Sequence, residues 1–284
     1  MVALEDYKGG ETAWCPGCGN FAILMAVKKA LVKLDKKPHE VLIVSGIGQS
    51  GKLPHYMKCN TFNSLHGRTL PPATGAKLAN HELTVVADGG DGDTYGEGGN
   101  HFIHAIRRNP DITMLVHNNQ IYGLTKGQAS PTSDMGMVTK VQTHGVIHTP
   151  LNPLAVAISL DCSFVSRGFA GDVGHLSNLI AQAIEHKGFS LVDVLQPCVT
   201  FNKLNTFKWY RERIYKLNET DYTPNDRIKA FEKSLEWGEK ISIGVFYERK
   251  GPSFEEKVPA LAFGPLIKQK HDPTKINELV EGFM

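Results

Sequence analysis

Leu83-Thr84-Val85-Val86-Ala87-Asp88-Gly89-Gly90-Asp91-Gly92-Asp93 and, further on, Ile112-Thr113-Met114-Leu115-Val116-His117-Asn118-Asn119 are the two stretches whose joint reading decides the fold. Each begins as a short, largely apolar run, the pattern of a strand covered on both faces. Tyr95-Gly96-Glu97-Gly98-Gly99-Asn100 leads out of the first into a helix. Between Gly92 and Asn118 lie 25 residues, room for one helix and one strand. Strands joined by a helix run parallel, so Asp91 and Asn118-Asn119 emerge at the same carboxyl edge of the sheet. Ligands of open α/β sheets settle at that edge.

Working outward, Val41 to Ser45 and Phe189 to Val194 are further apolar runs that read as strands, alongside Leu83 to Ala87 and Ile112 to His117. Helices are expected between them. Asn20 is placed to cap one running to about Leu34, with Phe21, Leu24, Val27, Leu31 and Leu34 on one stripe. Asn152-Pro153 opens another, with Asn as cap and Pro in the first turn. Asp172 to Gly188 forms a third, acid-capped at its start and closed by His186, Lys187 and a glycine. The expected fold is an open, mostly parallel α/β sheet with helices on both faces and a C-terminal extension. Residues 1–202 are read as this domain and residues 203–284 as an arm and tail. The aromatic and charged run Phe207 to Arg213 suits either a helix packed on its own domain or an arm gripping another subunit.

Composition excludes several classes. With 41% hydrophobic and 21% charged residues the chain is globular, and a formal net charge of +2 gives no basic face for nucleic acid. No stretch approaches the roughly 20 apolar residues of a membrane helix, and Met1 to Thr12, with Glu5, Asp6 and Glu11, lacks the pattern of a signal peptide. A cytoplasmic protein is expected. Five cysteines, an odd number, argue against a disulfide framework and for metal binding, redox chemistry or buried thiols.

The glycines around Asp91 let a phosphate come close to the backbone, and the helix start beyond offers unpaired amide donors. A glycine turn without a ligand has the same look. The second half of the pattern adds an amide oxygen and a backbone carbonyl to a carboxylate, the hard donors that magnesium prefers, with diphosphate oxygens completing its octahedron. This arrangement resembles the Gly-Asp-Gly to Asn-Asn signature of thiamine-diphosphate enzymes. By that resemblance Gly90, Asp91 and Gly92 bind the cofactor, Asp91 and Asn119 give magnesium their side chains, and Ile121 gives its carbonyl. Asp88 and Asp93 are competing acids, and Asp91 is preferred because it stands between the glycines.

Cys15 and Cys18 lie two residues apart in Trp14-Cys15-Pro16-Gly17-Cys18-Gly19-Asn20, a spacing that suits zinc, an iron–sulfur cluster or a redox disulfide. Cys162 is read as a small buried thiol. Cys198, after the strand Phe189 to Val194, points to the same edge as the glycine loop. Together with Gly46-Ile47-Gly48, Leu65-His66-Gly67-Arg68, Ala73-Thr74-Gly75, Tyr122-Gly123-Leu124-Thr125-Lys126-Gly127-Gln128 and Gln196-Pro197-Cys198, these motifs resemble the β subunit of 2-oxoacid:ferredoxin oxidoreductases over about residues 10 to 215.

The resemblance implies a thiamine-diphosphate-binding fold, Mg2+ and a [4Fe-4S] cluster held by Cys15, Cys18, Cys198 and a fourth cysteine. Many relatives carry that cysteine where this chain has Gln49, so Cys59, ten residues on, is the expected substitute, with a three-cysteine cluster or Cys162 as donor the alternatives. Gly123 and Leu124 join the cofactor-binding residues. His66 and Arg68 face cofactor or substrate, or else hold a turn, and Lys126 meets a substrate carboxylate. The implied reaction is coenzyme A-dependent oxidative decarboxylation of a 2-oxoacid, with ferredoxin as electron acceptor. It requires an α subunit, with or without further small subunits. A non-redox thiamine lyase or synthase would share the metal signature without clustered cysteines. A non-catalytic metal-binding module would share the cysteines without the diphosphate site.

Overall fold

The computed structural model describes residues 1–270 and 272–283; His271 and Met284, both within the expected tail, lie outside the described residues. The described residues build ten strands: β1 Val41–Ser45, β2 Asn60–Asn63, β3 Thr84–Gly90, β4 Thr113–Asn118, β5 Ile121–Tyr122, β6 Gln128–Ala129, β7 Phe164–Phe169, β8 Ser190–Leu195, β9 Ile214–Lys216 and β10 Ile241–Glu248. Eight of them form one sheet in the order β2-β1-β3-β4-β8-β7-β10-β9, and β5 with β6 makes a separate hairpin. All neighbours in the large sheet are parallel except β10, which runs antiparallel to β7. The expected mostly parallel α/β sheet is the observed one.

The α-helices are α1 Gly19–Lys33, α2 Leu70–Ala79, α3 Gly99–Arg108, α4 Pro153–Ser159, α5 Val173–Glu185, α6 Phe207–Arg211, α7 Arg227–Ser234 and α8 Ile276–Glu281. Alternate strand residues feed two cores, because successive side chains of a strand point to opposite faces. Ile43, Val86, Leu115 and Val192 meet Ile23, Val27 and Leu31 of α1 and Ile180 of α5 on one face. Val44, Val85, Met114, Val116 and Leu191 meet Leu70 of α2, Phe102 and Ile106 of α3 and Ile158 of α4 on the other. Truncating one of these fully buried residues, for example Leu115→Ala, costs about 2–5 kcal/mol.

Caps fix where the helices begin. Asn152 and Asp172 accept the amides of Ala155 and His175 at 3.0 Å, as the caps expected for α4 and α5. Asn20 is different. Helix α1 starts with Cys18 at the cap position, and the Asn20 side chain, inside the first turn, stands 2.8 Å from Nδ1 of His117. That bond ties the start of α1 to the carboxyl end of β4.

The sheet does not end at residue 202. Strands β9 and β10 extend it, and Tyr210 of α6 is buried with Phe169, Leu195, Ile241 and Ile243. The segment Phe207 to Arg213 therefore packs on its own domain. Beyond Lys250 the chain follows short 3-10 turns and then α8; early in this stretch Phe254 donates to the carbonyl of Asn109 at 2.9 Å and Asp111 to Glu255 at 3.1 Å.

Candidate active site

Strands β3 and β4 pair in parallel with Gly90 level with His117, so Asp91 and Asn118-Asn119 leave adjacent strands at the carboxyl edge. Asp91 is 1% exposed. Its Oδ2 accepts from Ser130 Oγ and from Thr132 Oγ1, both at 2.6 Å. Burial pushes its pKa up to about 6; the two hydroxyls oppose the shift and the neighbouring Asp193 adds to it. Thr132 Oγ1 also lies 2.9 Å from Asn118 Oδ1, and Asn118 Nδ2 donates to both oxygens of Asp193 at 3.2 Å. Tyr95 Oη completes this buried network with a 2.7 Å bond to Asp193.

The other two acids of the loop are committed elsewhere. Asp88 meets His117 Nε2 at 2.8 Å. Asp93 accepts from the amides of Ile47 and Gly67 at 2.9 Å and from Thr69 Oγ1 at 3.0 Å, pinning three loops together. Asp91 alone of the three faces the hairpin that follows Asn119. Asn119 Oδ1 accepts from the Ile121 amide at 2.9 Å, and its carbonyl accepts from Asn202 at 3.3 Å. Gly92 has a steric reason to be glycine, since a Cβ there would lie 2.2 Å from the Tyr122 ring.

The remaining expected residues surround this core. His66 Nε2 lies 3.5 Å from Glu97 and 3.8 Å from Asp93. Arg68 is exposed, with its amide closing a turn onto Leu65. Lys126 is exposed in a left-handed conformation (φ 77°), and Gly123 and Leu124 lie on the same turn between β5 and β6. Neither Arg68 nor Lys126 uses its side chain in a hydrogen bond among the described residues. Sequence reasoning missed Ser130 and Thr132, which reach Asp91 only because the β5–β6 hairpin turns the chain back.

Three cysteines gather at the same edge. Cys18 closes a turn onto the Cys15 carbonyl at 3.0 Å, and its sulfur accepts from Gln196 Nε2 at 3.6 Å. Cys198 sulfur accepts from the Phe201 amide at 3.5 Å. Burial raises the Cys18 pKa, and proximity to Cys198 and Cys15 raises it further. Cys162 is fully buried, as expected.

Cys59 corrects the expected ligand set. It directly precedes β2, whose Asn60 pairs with Leu42, so Cys59 stands level with the first residue of β1 at the amino edge of the sheet. The other three thiols belong to the carboxyl edge, one strand length away, roughly 13 Å for five residues. Cys59 instead packs near Tyr7 and Lys28 beside the Ile43 backbone, with its thiol pushed up to about 11 by burial. Among the described residues no group of three or more His, Cys, Asp or Glu side chains is close enough to grip a single metal ion.

Residues 45–194 match the family model of the thiamine pyrophosphate enzyme C-terminal TPP-binding domain, and residues 198–262 match that of the C-terminal part of the pyruvate ferredoxin oxidoreductase β subunit. A 2-oxoacid:ferredoxin oxidoreductase subunit β from Sulfolobus sp is 50% identical over 260 residues, covering 87% of this chain and 85% of that one. The chain belongs to the 2-oxoacid:ferredoxin oxidoreductase β-subunit family. A further β subunit of the family, from Saccharolobus solfataricus, is 48% identical over 86% of this chain and 85% of its own. The structure also superposes on a 2-oxoglutarate:ferredoxin oxidoreductase from Magnetococcus marinus, solved with 2-oxoglutarate, coenzyme A and succinyl-CoA bound. That match has a TM-score of 0.91 and 35% identity, covering 98% of this chain and 96% of the other. As an oxidoreductase β subunit the chain carries the thiamine pyrophosphate domain around Asp91, and its residues 203–262 are part of the family's own C-terminal region. Among the described residues no helix is long and apolar enough to cross a membrane.

Proposed function

We propose that this chain holds thiamine diphosphate through Mg2+ and, with an α subunit, converts a 2-oxoacid and coenzyme A to acyl-CoA and CO2 while reducing ferredoxin, reversibly. The observation that carries this reading is the buried Asp91 carboxylate, set by two hydroxyls at the sheet edge and one strand from Asn118-Asn119. Asp91, Asn119 and the Ile121 carbonyl would hold the metal, a hard-oxygen donor set of the kind magnesium takes. Thr132 and Ser130 fix the Asp91 rotamer. Gly90 leaves room for the diphosphate, Gly92 lets Tyr122 pack against the same cofactor-binding loop, and Gly123 and Leu124 line the approach. When bound, thiamine diphosphate supplies the nucleophilic carbon and the electron sink that decarboxylation needs.

Cys15, Cys18 and Cys198 would hold an iron–sulfur cluster, which supplies a one-electron acceptor. Three thiols would take three corners of a [4Fe-4S] group and leave the fourth to another ligand. Cys59 does not supply the fourth, and Gln49 stands where many relatives have cysteine. His66, between Glu97 and Asp93, orients the loop that faces the substrate together with Arg68. Lys126, exposed beside the metal loop, meets the substrate carboxylate.

In this reading residues beyond 203 contact the α subunit, and the complex works in the cytoplasm. Anaerobic reconstitution of the chain with its α partner tests it. The expected result is 2-oxoacid- and coenzyme A-dependent ferredoxin reduction that neither subunit gives alone. Reconstituted complex that binds no thiamine diphosphate, or full turnover by the isolated chain, contradicts it.

A further inference from the structure

Arg167 sits in the middle of β7 with 3% of its surface exposed. Its guanidinium stacks over Phe246 at 5.4 Å and Trp237 at 5.6 Å, but Nε and Nη1 are buried without a hydrogen-bond partner. Cross-strand, Arg167 is level with Asp193. Yet Asp193 gives its oxygens to Tyr95 and Asn118, and no ion pair joins it to Arg167 among the described residues. A buried guanidinium lacking hydrogen bonds is costly, because desolvation falls on each unmade donor.

Arg167 lines a cavity of about 170 Å³ together with Asn118, Thr132, Asp134, Leu151 and Trp237. Asn118 and Thr132 are the residues that connect to Asp91, so the cavity lies behind the wall that carries the proposed metal site. At about 30 Å³ per water, the space equals roughly six waters. That is too little for a thiamine or a coenzyme A and enough for a molecule of a few heavy atoms. The lining also includes an acid: Asp134 accepts from Trp237 Nε1 at 3.1 Å, from Gln120 at 3.3 Å and from Asn205 at 3.0 Å. Its oxygens are thus occupied by donors, whereas the two Arg167 donors are not. The ionisable groups whose charge reaches Arg167 are Asp193, Tyr210, Tyr95 and Glu236.

We propose that Arg167 and this cavity bind one small carboxylate-class anion, either the carboxylate of a small 2-oxoacid or hydrogencarbonate. An unpaired guanidinium is suited to such oxyanions by its planar array of donors. The identity of the anion rests on the function proposed above; the existence of the anion site does not.

Thermal melts of the full chain in sodium formate, pyruvate or hydrogencarbonate, against sodium chloride at equal ionic strength, test the site. Formate should raise Tm saturably, by about 5 °C at a hundredfold excess over Kd. Pyruvate acting without hydrogencarbonate assigns the site to substrate, and the reverse assigns it to the one-carbon product. Arg167→Met should abolish the shift. Should that variant fail to fold, Leu151→Trp, which fills the cavity from its exposed rim, should abolish it instead. A native chain that melts alike in formate and chloride overturns the proposal, as does an undiminished shift in either folded variant. Thiamine diphosphate binding by the assembled native complex is read in parallel. Anion binding without thiamine binding sinks the proposed function and keeps this site, while the opposite pair of results does the reverse.

Discussion

Asp91 and Cys18 stand at one edge of one sheet, yet their surroundings are built differently. The Asp91 carboxylate is sealed from solvent, gripped by two hydroxyls at 2.6 Å and backed by the Asn118–Asp193–Tyr95 network. The three thiols stand half-buried or exposed, and those of Cys18 and Cys198 each accept one long bond from nitrogen, at 3.6 and 3.5 Å. The contrast teaches that the acid is preorganised before any ligand arrives, whereas the geometry of the thiols would be set by what they hold. Preorganisation has a thermodynamic signature: a buried carboxylate destabilises the empty fold, and a half-exposed thiol does not.

The largest effect should come from Asp91→Asn. In the complex assembled with the α subunit it should weaken Mg2+-dependent thiamine diphosphate binding by more than the roughly 10–100-fold that loss of an outer partner costs. An unchanged titration would move the metal away from Asp91. Thr132→Val, which removes one hydroxyl from Asp91 and one contact to Asn118, should fall within that 10–100-fold range, measured in the same titration.

The same acid should act on stability in the opposite direction. Asp91 has a folded pKa of about 6 against an ordinary 3.8, so the metal-free fold takes up a proton as pH falls through 6. Stability from this group is fully present below the unfolded value and is lost as pH rises through about 6. Metal-free Asp91→Asn should therefore be more stable than the native chain at pH 7.5, by about 2–3 kcal/mol. The gap should close toward pH 4, as read by urea unfolding at each pH.

The thiols offer the sharpest pairing. Cys18→Ser should remove most of the iron from anaerobically purified protein. Cys59→Ser should leave iron and sulfide unchanged and shift stability by about 1 kcal/mol or less, because Cys59 belongs to the amino edge. Equal iron loss in both variants would place Cys59 in the cluster after all.

Much of this architecture is legible in the sequence. Strands β1, β3, β4 and β8 are apolar runs bounded by turns, and the spacing from Asp91 to Asn119 puts both at one edge without knowledge of the sheet order. Other parts are hidden for identifiable reasons. Strand β2, Asn60–Asn63, is an exposed edge strand with a polar sequence and no apolar run. Strand β10 comes back antiparallel after a long connection, so Ile241–Glu248 reads as part of an arm when the change of texture at Lys203 is taken for a boundary. Cys59 is suggested by its distance along the chain from Gln49, and chain distance says nothing about which edge of a sheet a residue reaches. Ser130 and Thr132 depend on a hairpin fold-back, and Arg167 on burial in mid-strand, neither of which a local pattern announces.

The most direct test of the central claim is a calorimetric titration of thiamine diphosphate into the native complex assembled with the α subunit, with Mg2+ and again with the metal chelated. The account predicts one equivalent bound per β chain with Mg2+ and no measurable binding without it. Equal binding in both conditions, or none in either, would contradict a diphosphate held through a metal between Asp91 and Asn119.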